Sequence, residues 1–186
     1  KEDLILIDNL SHASSFIGTR ITDAKVLQFN HNCMVDLENK LIKYRNSFNK
    51  CMILSEGVFS MDGDIAPQDK ISLLKKKYNA FFILDDAHGI GVLGDGSGST
   101  SLFNKNVQVD ICIGTLSKSL GSYGGFICGK KSIVDFLINR CRTQIYTTGL
   151  PPSVLAASIK ALEIIRTNLE LTKKPLDNAK YFCNIL

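Results

Sequence analysis

DICIGTLSKSLGSYGG, residues 110–125, runs from an apolar segment into a loop of glycine and hydroxyl residues that contains one lysine. The segment from Val109 to Ile113 predicts a buried strand, and the glycines predict a turn directly after it. Lys118 is then either a solvated turn residue or an amine whose pKa is lowered by desolvation. The first is the commoner fate of a lysine in such a loop, whereas the second gives a nucleophile that captures carbonyl groups as a Schiff base.

A second apolar run, upstream, favours the reactive amine. Residues 80–84, AFFIL, end abruptly at Asp85, Asp86 and His88. In open α/β sheets the ligand crevice lies beyond the carboxyl ends of the strands, so we expect Asp85 and Lys118 to face the same crevice. Pyridoxal 5′-phosphate (PLP) is held by such a lysine, and its pyridinium nitrogen needs an anionic partner. The two stretches together predict a PLP site in which Asp85 is that partner.

Apolar strands alternate with helical patterns along the chain. Strands are predicted at residues 4–7, 25–29, 51–54, 80–84, 109–113 and 125–128. Helices are predicted from residue 13, around 37–44, after 67, over 132–140 and from 153 onward. The third of these places Lys75, Lys76 and Lys77 on a solvated face, and Ser132 with Asp135 resembles a capping box at the start of the fourth. The alternation predicts an α/β fold with a mostly parallel sheet and flanking helices.

Four motifs, in the same order, resemble the α-oxoamine synthases, a family of fold-type I PLP enzymes. They read SHAS at 11–14, EGVFSMDGD at 56–64, DDAHG at 85–89 and TLSK at 115–118. The resemblance implies a three-layer α/β/α large domain and a PLP-dependent C-acyltransferase that joins an amino acid to an acyl-CoA or acyl-carrier thioester, usually with loss of CO₂. Residues 11–14 and 56–67 look most like the 8-amino-7-oxononanoate synthase branch, which belongs to biotin biosynthesis. Glycine C-acetyltransferases, 5-aminolevulinate synthases and serine palmitoyltransferases remain open.

The same resemblance implies four catalytic residues. Lys118 would hold PLP and later act as the general base at the substrate Cα, for which it must be a neutral amine. Asp85 would pair with the pyridine nitrogen. His12 would stack on the ring, and His88 would hydrogen-bond the ring hydroxyl. Without the resemblance, both histidines would be ordinary loop residues.

Four hydroxyl residues are implied as further cofactor ligands. Ser60 would reach the O3 side of the ring and Thr115 would bind the phosphate. Thr147 and Thr148, in an extended segment before a long helix, would serve the phosphate of a neighbouring subunit. Each hydroxyl could otherwise simply cap a turn. The resemblance thus implies a homodimer with active sites at the interface.

The domain interpretation follows the same family. Residues 1–172 are interpreted as a large PLP-binding domain that lacks its N-terminal part, and residues 173–186 as the start of a connection to a C-terminal small domain. The sequence KKP at 173–175 is predicted to end the last helix, because proline cannot continue one. A glycine–aromatic segment over the cofactor and a substrate-carboxylate arginine are expected outside residues 1–186.

The amino-acid composition limits which classes of partner and which cellular compartment are expected. The chain has 22 Lys plus Arg against 18 Asp plus Glu, a net charge of +4, which is too small and too scattered to predict nucleic-acid binding. It has no apolar run long enough for a membrane span. Its six cysteines lack metal-site spacing, and Cys51, Cys112 and Cys128 lie in apolar runs. This pattern favours a reducing compartment and a cytoplasmic enzyme.

Two alternatives of other classes stay open from the residues alone. Asp85, Asp86 and His88 could bind a divalent metal in a hydrolase, although that would leave Lys118 without a role. The chain could also be a non-catalytic scaffold subunit or a fragment of the same fold. Lys118 argues against the scaffold.

Overall fold

The computed structural model describes residues 2–103 and 107–185, and a six-stranded sheet forms its centre. The strands are β1 (Leu4–Asp8), β2 (Lys25–Phe29), β3 (Cys51–Glu56), β4 (Phe81–Asp85), β5 (Ile111–Thr115) and β6 (Gly125–Gly129). Their order across the sheet is β2-β1-β3-β4-β5-β6. Neighbouring strands from β2 to β5 run parallel, and β6 is antiparallel to β5. The six predicted strands are confirmed, with β3 two residues longer than expected and β5 shifted two residues toward the C-terminus.

Helices connect the strands and flank the sheet. They are α1 (Ala13–Arg20), α2 (Met34–Tyr44), α3 (Gln68–Lys77), α4 (Lys131–Arg140), α5 (Arg142–Ile145), α6 (Pro152–Thr167) and α7 (Leu169–Ile185). Short 3₁₀ turns lie at Arg45–Ser47 and Ser99–Leu102. Because α1, α2 and α3 each join two parallel strands, the first half of the chain is a run of βαβ units. The predicted α/β class with a mostly parallel sheet is confirmed.

Helices α2 and α3 cover one face of the sheet. Leu37 and Leu41, one turn apart on α2, are fully buried together with Ile71 of α3. The same cluster contains inward-facing strand residues, among them Leu4, Leu6, Ile53, Phe82 and Leu84. Burial of each such side chain stabilises the fold by about 1.5–3 kcal/mol. This packing holds β1, β3 and β4 side by side, so their carboxyl ends meet at one edge.

The predicted start of α4 is wrong by a small but informative amount. The helix begins at Lys131 with Lys130 at the N-cap, so Ser132 lies inside it and forms no cap. Asp135 is not part of a capping box. Its carboxylate binds the Lys131 ammonium one turn away, at 2.7 Å. The Asp135 carboxylate is therefore paired with the Lys131 side chain and does not cap the helix.

The break in the last helix also lies elsewhere than predicted. Residues 173–175 do not end a helix, and Pro175 lies inside α7. The break is at Asn168, which separates α6 from α7. Asn168 Oδ1 accepts a hydrogen bond from Leu171 N at 3.3 Å. Asparagine is a favoured N-cap residue because its side chain satisfies such free backbone donors.

One lysine of the predicted solvated run is largely buried. The side chain of Lys75 is 12% exposed and its ammonium lies 2.5 Å from Asp110 Oδ2. The same oxygen accepts a hydrogen bond from Phe82 N at 2.8 Å, so the ion pair ties α3 to the sheet. Lys76 is exposed as predicted, and Lys77 is exposed beside Glu38.

All six cysteines are free. Burial raises the pKa of Cys51 to about 11 and that of Cys112 to about 12. Cys128, which lies in an apolar run on the edge strand β6, is exposed. Among the helices within residues 2–103 and 107–185, none has the length and apolar character needed to cross a bilayer.

Candidate active site

A cavity of about 220 Å³ lies at the carboxyl edge of the parallel strands. The loops after β1, β3, β4 and β5 all reach it, as expected where parallel strands end together. Its lining consists of His12, Ser14, Glu56, Asp85, Ala87, His88, Ile113, Gly114, Thr115 and Lys118. Residues predicted from three separate stretches of sequence therefore come together in one place.

The imidazole of His12 is fixed by its own helix. His12 is the N-cap of α1, and its Nδ1 accepts a hydrogen bond from Ser14 N at 3.2 Å and lies 2.8 Å from Ser14 Oγ. Its backbone N–H donates to the buried carboxylate of Glu56. The residue itself is exposed. The contacts at Nδ1 fix the orientation of the ring, and its exposure allows a planar ligand to stack on it.

The two adjacent aspartates have different environments. Asp85 ends β4 and lines the cavity. Asp86 is buried, and its Oδ2 accepts a hydrogen bond from Ser99 N at 2.9 Å. Space for its carboxylate exists only because residues 57 and 89 are glycines, where a Cβ would lie 2.0 or 2.1 Å from Asp86 Oδ1. Burial raises the pKa of Asp86, so this residue belongs to the packed interior.

The different environments of Asp85 and Asp86 argue against the metal-hydrolase alternative. That alternative requires Asp85, Asp86 and His88 around one ion, whereas Asp86 is turned toward Ser99. Throughout the described ranges, histidine, cysteine and carboxylate side chains form no group of three or more that could hold a metal. The three side chains therefore do not form one coordination site.

Lys118 and His88 are in direct contact. The Lys118 Nζ lies 2.9 Å from His88 Nε2. Burial, and then the neighbouring Lys118, lower the pKa of His88. A neutral imidazole with Nδ1 protonated presents Nε2 as an acceptor, so His88 can receive a hydrogen bond from the amine. The pair connects the β4 and β5 loops across the cavity.

Two cavity residues were missed by the sequence analysis. Glu56 ends β3 and pairs in register with Asp85 on β4. Burial raises the pKa of Glu56, and the charge of Asp85 adds to this, although the hydrogen bond from His12 N opposes it. A carboxylate at the end of an apolar strand was the available signal. Ser14 gave no comparable signal, because its role depends on the orientation of the His12 ring.

Of the four hydroxyl residues predicted as cofactor ligands, one lines the cavity and three lie outside its lining. Thr115 lines the cavity, and its Oγ1 accepts from Ser117 N at 3.2 Å and donates to Gly124 O at 3.1 Å. Ser60 is exposed on the turn after β3 and is not part of the lining. Thr147 and Thr148 are exposed as well and lie outside the lining.

Comparison with known proteins places this site in a family. The sequence matches the family "Aminotransferase class I and II" over residues 1–186. The chain belongs to this family. Among curated members, an 8-amino-7-oxononanoate synthase from Beijerinckia indica is 42% identical over 182 residues, which cover 98% of this chain and 47% of that protein. The chain spans about half the length of the curated relatives it matches.

Solved structures of family members share the fold. A serine palmitoyltransferase from S. paucimobilis with a bound PLP–myriocin aldimine superposes with a TM-score of 0.83 at 32% identity, covering 89% of this chain and 42% of that one. An 8-amino-7-oxononanoate synthase from Francisella tularensis gives a TM-score of 0.71 at 32% identity, covering 88% and 47%. Both are α-oxoamine synthases, so the resemblance seen in the four motifs is confirmed, together with the fold-type I class.

Proposed function

We propose that this chain is the cofactor-binding part of a PLP-dependent 8-amino-7-oxononanoate synthase, which joins alanine to a pimeloyl thioester in biotin biosynthesis. The observation that carries the proposal is the convergence of Lys118, His88, Asp85 and the exposed ring of His12 on one cavity. The relatives that bear this enzyme's name, at 42–46% identity over nearly the whole chain, support the choice of substrates.

The chemistry of the cavity residues fits PLP. Lys118 offers an amine to the aldehyde, and Asp85 offers a carboxylate to the ring nitrogen. His88 offers a hydrogen-bonding imidazole to the ring hydroxyl, and His12 offers a flat surface to the ring. Bound PLP supplies an electron sink for the substrate Cα. A scaffold subunit would need none of these groups to converge.

The residues of this chain then have defined tasks. Lys118 Nζ would hold the PLP aldehyde and, with the amino-acid substrate bound, would take the proton from the substrate Cα. It does so as a neutral amine, and His88 Nε2, at 2.9 Å, is placed to orient it. The substrate Cα would form a bond to the acyl carbon as the C–S bond breaks and the thiolate leaves to take a proton from solvent. The substrate carboxylate would then leave as CO₂, and the proton held by Lys118 would return to Cα.

Serine palmitoyltransferase is a second candidate, because its structures superpose better on this chain, with TM-scores up to 0.83 against 0.71. However, the serine palmitoyltransferases are 32–36% identical to the chain. Fold similarity is shared by the whole family, whereas side-chain identity decides which substrate is accepted. Identity to the solved structures does not separate the two candidates, since the Francisella tularensis enzyme is also 32% identical. The curated relatives, at 42–46% identity over nearly the whole chain, favour alanine and a pimeloyl thioester.

The test compares substrate pairs with the full-length protein and PLP. Release of CoA is measured by chromatography with alanine and pimeloyl-CoA, with serine and palmitoyl-CoA, and with glycine and acetyl-CoA. We expect alanine with pimeloyl-CoA to be preferred by roughly 10- to 200-fold, the range in which pockets discriminate small side chains. Preference for serine with palmitoyl-CoA would instead support the second candidate.

We further propose a homodimer with shared active sites, in which Thr147 or Thr148 serves the phosphate held by the partner's Lys118. Their exposure, away from the cavity of their own chain, supports a role in another subunit. Large apolar side chains nearby are also exposed, including Phe136 at 62% and Tyr146 at 76%. Exposed apolar surface of this kind is typical of protein interfaces.

Cellular setting and domain limits complete the proposal. Free cysteines throughout the chain support a reducing, cytoplasmic location.

Residues 1–172 would form the large domain and residues 173–186 the start of a connection, although residues 1, 104–106 and 186 lie outside the described ranges. Exposed Tyr181 and Phe182 on α7 support packing of this helix against further protein.

A further inference from the structure

A histidine outside the cavity bridges two carboxylates from different loops. His31 follows β2, and its Nδ1 lies 2.9 Å from Asp8 Oδ1 while its Nε2 lies 2.8 Å from Asp64 Oδ2. Its ring also contacts Phe59 edge-on, with centroids 4.3 Å apart. Asp8 is fully buried at the end of β1, and Asp64 lies on the turn after β3.

The two carboxylate contacts, which are shorter than the 3.2 Å between His31 Nε2 and Asn32 Nδ2, favour a charged ring. A neutral imidazole donates from one nitrogen only, and a carboxylate offers only acceptors. Both nitrogens of His31 face carboxylate oxygens, so both contacts are hydrogen bonds only when the ring is an imidazolium. Charge-assisted hydrogen bonds of this type are roughly twice as strong as neutral ones.

The bridge is connected to the loop that carries His12. Asp8 Oδ1 also accepts a hydrogen bond from Leu10 N at 2.9 Å, and the Asp8 carbonyl accepts one from Ser11 N at 3.1 Å. The path from β1 to the N-cap at His12 is therefore shaped by the same aspartate that holds His31.

The other end of the bridge is connected to Ser60. Phe59 N donates to Asp64 O at 3.0 Å, and Gly63 N donates to Phe59 O at 2.8 Å. These two bonds close the turn 59–64, which contains Ser60. His31 holds this turn twice, through the Asp64 carboxylate and through the Phe59 ring.

We propose that His31 is a positioning residue whose imidazolium, clamped between Asp8 and Asp64, sets the turn of Ser60 against the loop of His12 and so shapes the PLP site. This inference rests on the proposed function for its readout in PLP binding. It assigns no contact between His31 and the cofactor, because His31 acts through the two loops that it joins.

The proposal predicts the direction in which pH changes the stability of the His31 bridge. Partial burial lowers the pKa of His31, but hydrogen bonds and charge from Asp8 and Asp64, the titratable groups facing the ring, outweigh this and raise it. A raised pKa in the folded state means that the stabilisation is complete below pH 6.5 and is lost as pH rises through the folded-state pKa. The Ser60 turn should therefore loosen on the alkaline side.

The first experiment is an NMR titration of histidine signals in the full-length protein without PLP. The signal that disappears in His31→Gln identifies His31, and we expect its pKa to lie above the ordinary 6.5 and to fall in Asp64→Asn. Asp62→Asn, which removes an exposed carboxylate of the same turn, is the matched control and should leave that pKa unchanged. A His31 pKa at or below 6.5 would overturn the clamp.

The second experiment is a double-mutant cycle on PLP affinity. His12→Ala should weaken PLP binding about two- to tenfold in the parent protein, the range for one aromatic stacking contact, and by less than about twofold in the His31→Gln background, because the loop of His12 is already displaced there. The alkaline loss of affinity in the parent should also be smaller in His31→Gln but unchanged in Asp62→Asn. An equal effect of His12→Ala in both backgrounds would overturn the positioning role. Failure of every protein to bind PLP would refute the proposed function, while the NMR titration would still decide whether the bridge exists.

Discussion

Replacing Asp85 with asparagine separates the charge of this residue from its place in the fold. Asp85 Oδ1 accepts a hydrogen bond from Ala87 N at 3.1 Å, and an asparagine oxygen can accept the same bond. The variant should therefore fold normally, with a free energy of unfolding within about 0.5 kcal/mol of the parent. What it loses is the negative charge proposed to face the pyridine nitrogen.

The expected effect on PLP has two parts. A hydrogen bond to a charged group contributes about 1.5–3 kcal/mol and a neutral one about 0.5–1.5 kcal/mol, so the exchange removes about 1–1.5 kcal/mol, or roughly a tenfold change in affinity. Turnover at saturating PLP should fall further, by about 100-fold or more, because an amide cannot stabilise the protonated ring nitrogen during reaction.

The assay measures PLP affinity by absorbance and turnover by CoA release at saturating PLP. The matched control is Asp86→Asn, which makes the same chemical change one residue away, at a carboxylate turned into the fold. We expect that control to keep turnover within about threefold, since Asp86 does not line the cavity. Normal turnover by Asp85→Asn would refute the assigned role, and an equal loss in both variants would show that the turn matters rather than the charge.

Three further predictions concern other parts of the chain. Borohydride reduction of the PLP-bound protein should fix the cofactor on Lys118, and peptide mapping that finds the label on another lysine would contradict the central assignment. Lys75→Ala should lower the free energy of unfolding by about 1.5–3 kcal/mol because the Asp110 carboxylate loses its cation and keeps the hydrogen bond from Phe82 N, whereas Lys76→Ala should change it by less than about 0.5 kcal/mol; equal effects in urea melts would remove the distinction. Exchange of subunits between a Lys118→Ala chain and a Thr147→Ala, Thr148→Ala chain should restore activity, and no recovery after proven exchange would exclude shared sites.

The sequence predicted those features that depend on periodicity along one element. Apolar runs placed the six strands, and the rule that parallel strands end at one edge brought Asp85 and Lys118 to the same cavity. The pairing of Lys75 with Asp110 was not predictable in this way. These residues are far apart in the chain, and their contact depends on how α3 lies on the sheet, which no local pattern shows. The helix break at Asn168 was not predicted, because the proline at residue 175 is a stronger stop signal in sequence than a single asparagine.

In the candidate site too, local sequence patterns identified residues but did not show the tertiary contacts that hold them. Lys118 and His12 were found by sequence, but the groups that hold them come from other loops: His88 lies against the lysine amine, and Glu56 accepts from the backbone of His12. Both partners sit at the ends of neighbouring strands, where register decides which side chains meet.

Register therefore has a functional consequence in this protein. β3 pairs with β4 so that Glu56 lies opposite Asp85, and the two carboxylates approach each other at the floor of the cavity. Their proximity contributes to the raised pKa of Glu56. Under the proposed function, a protonated ring nitrogen that faces Asp85 would also lie near Glu56, so residues at the ends of two strands would contribute to its binding.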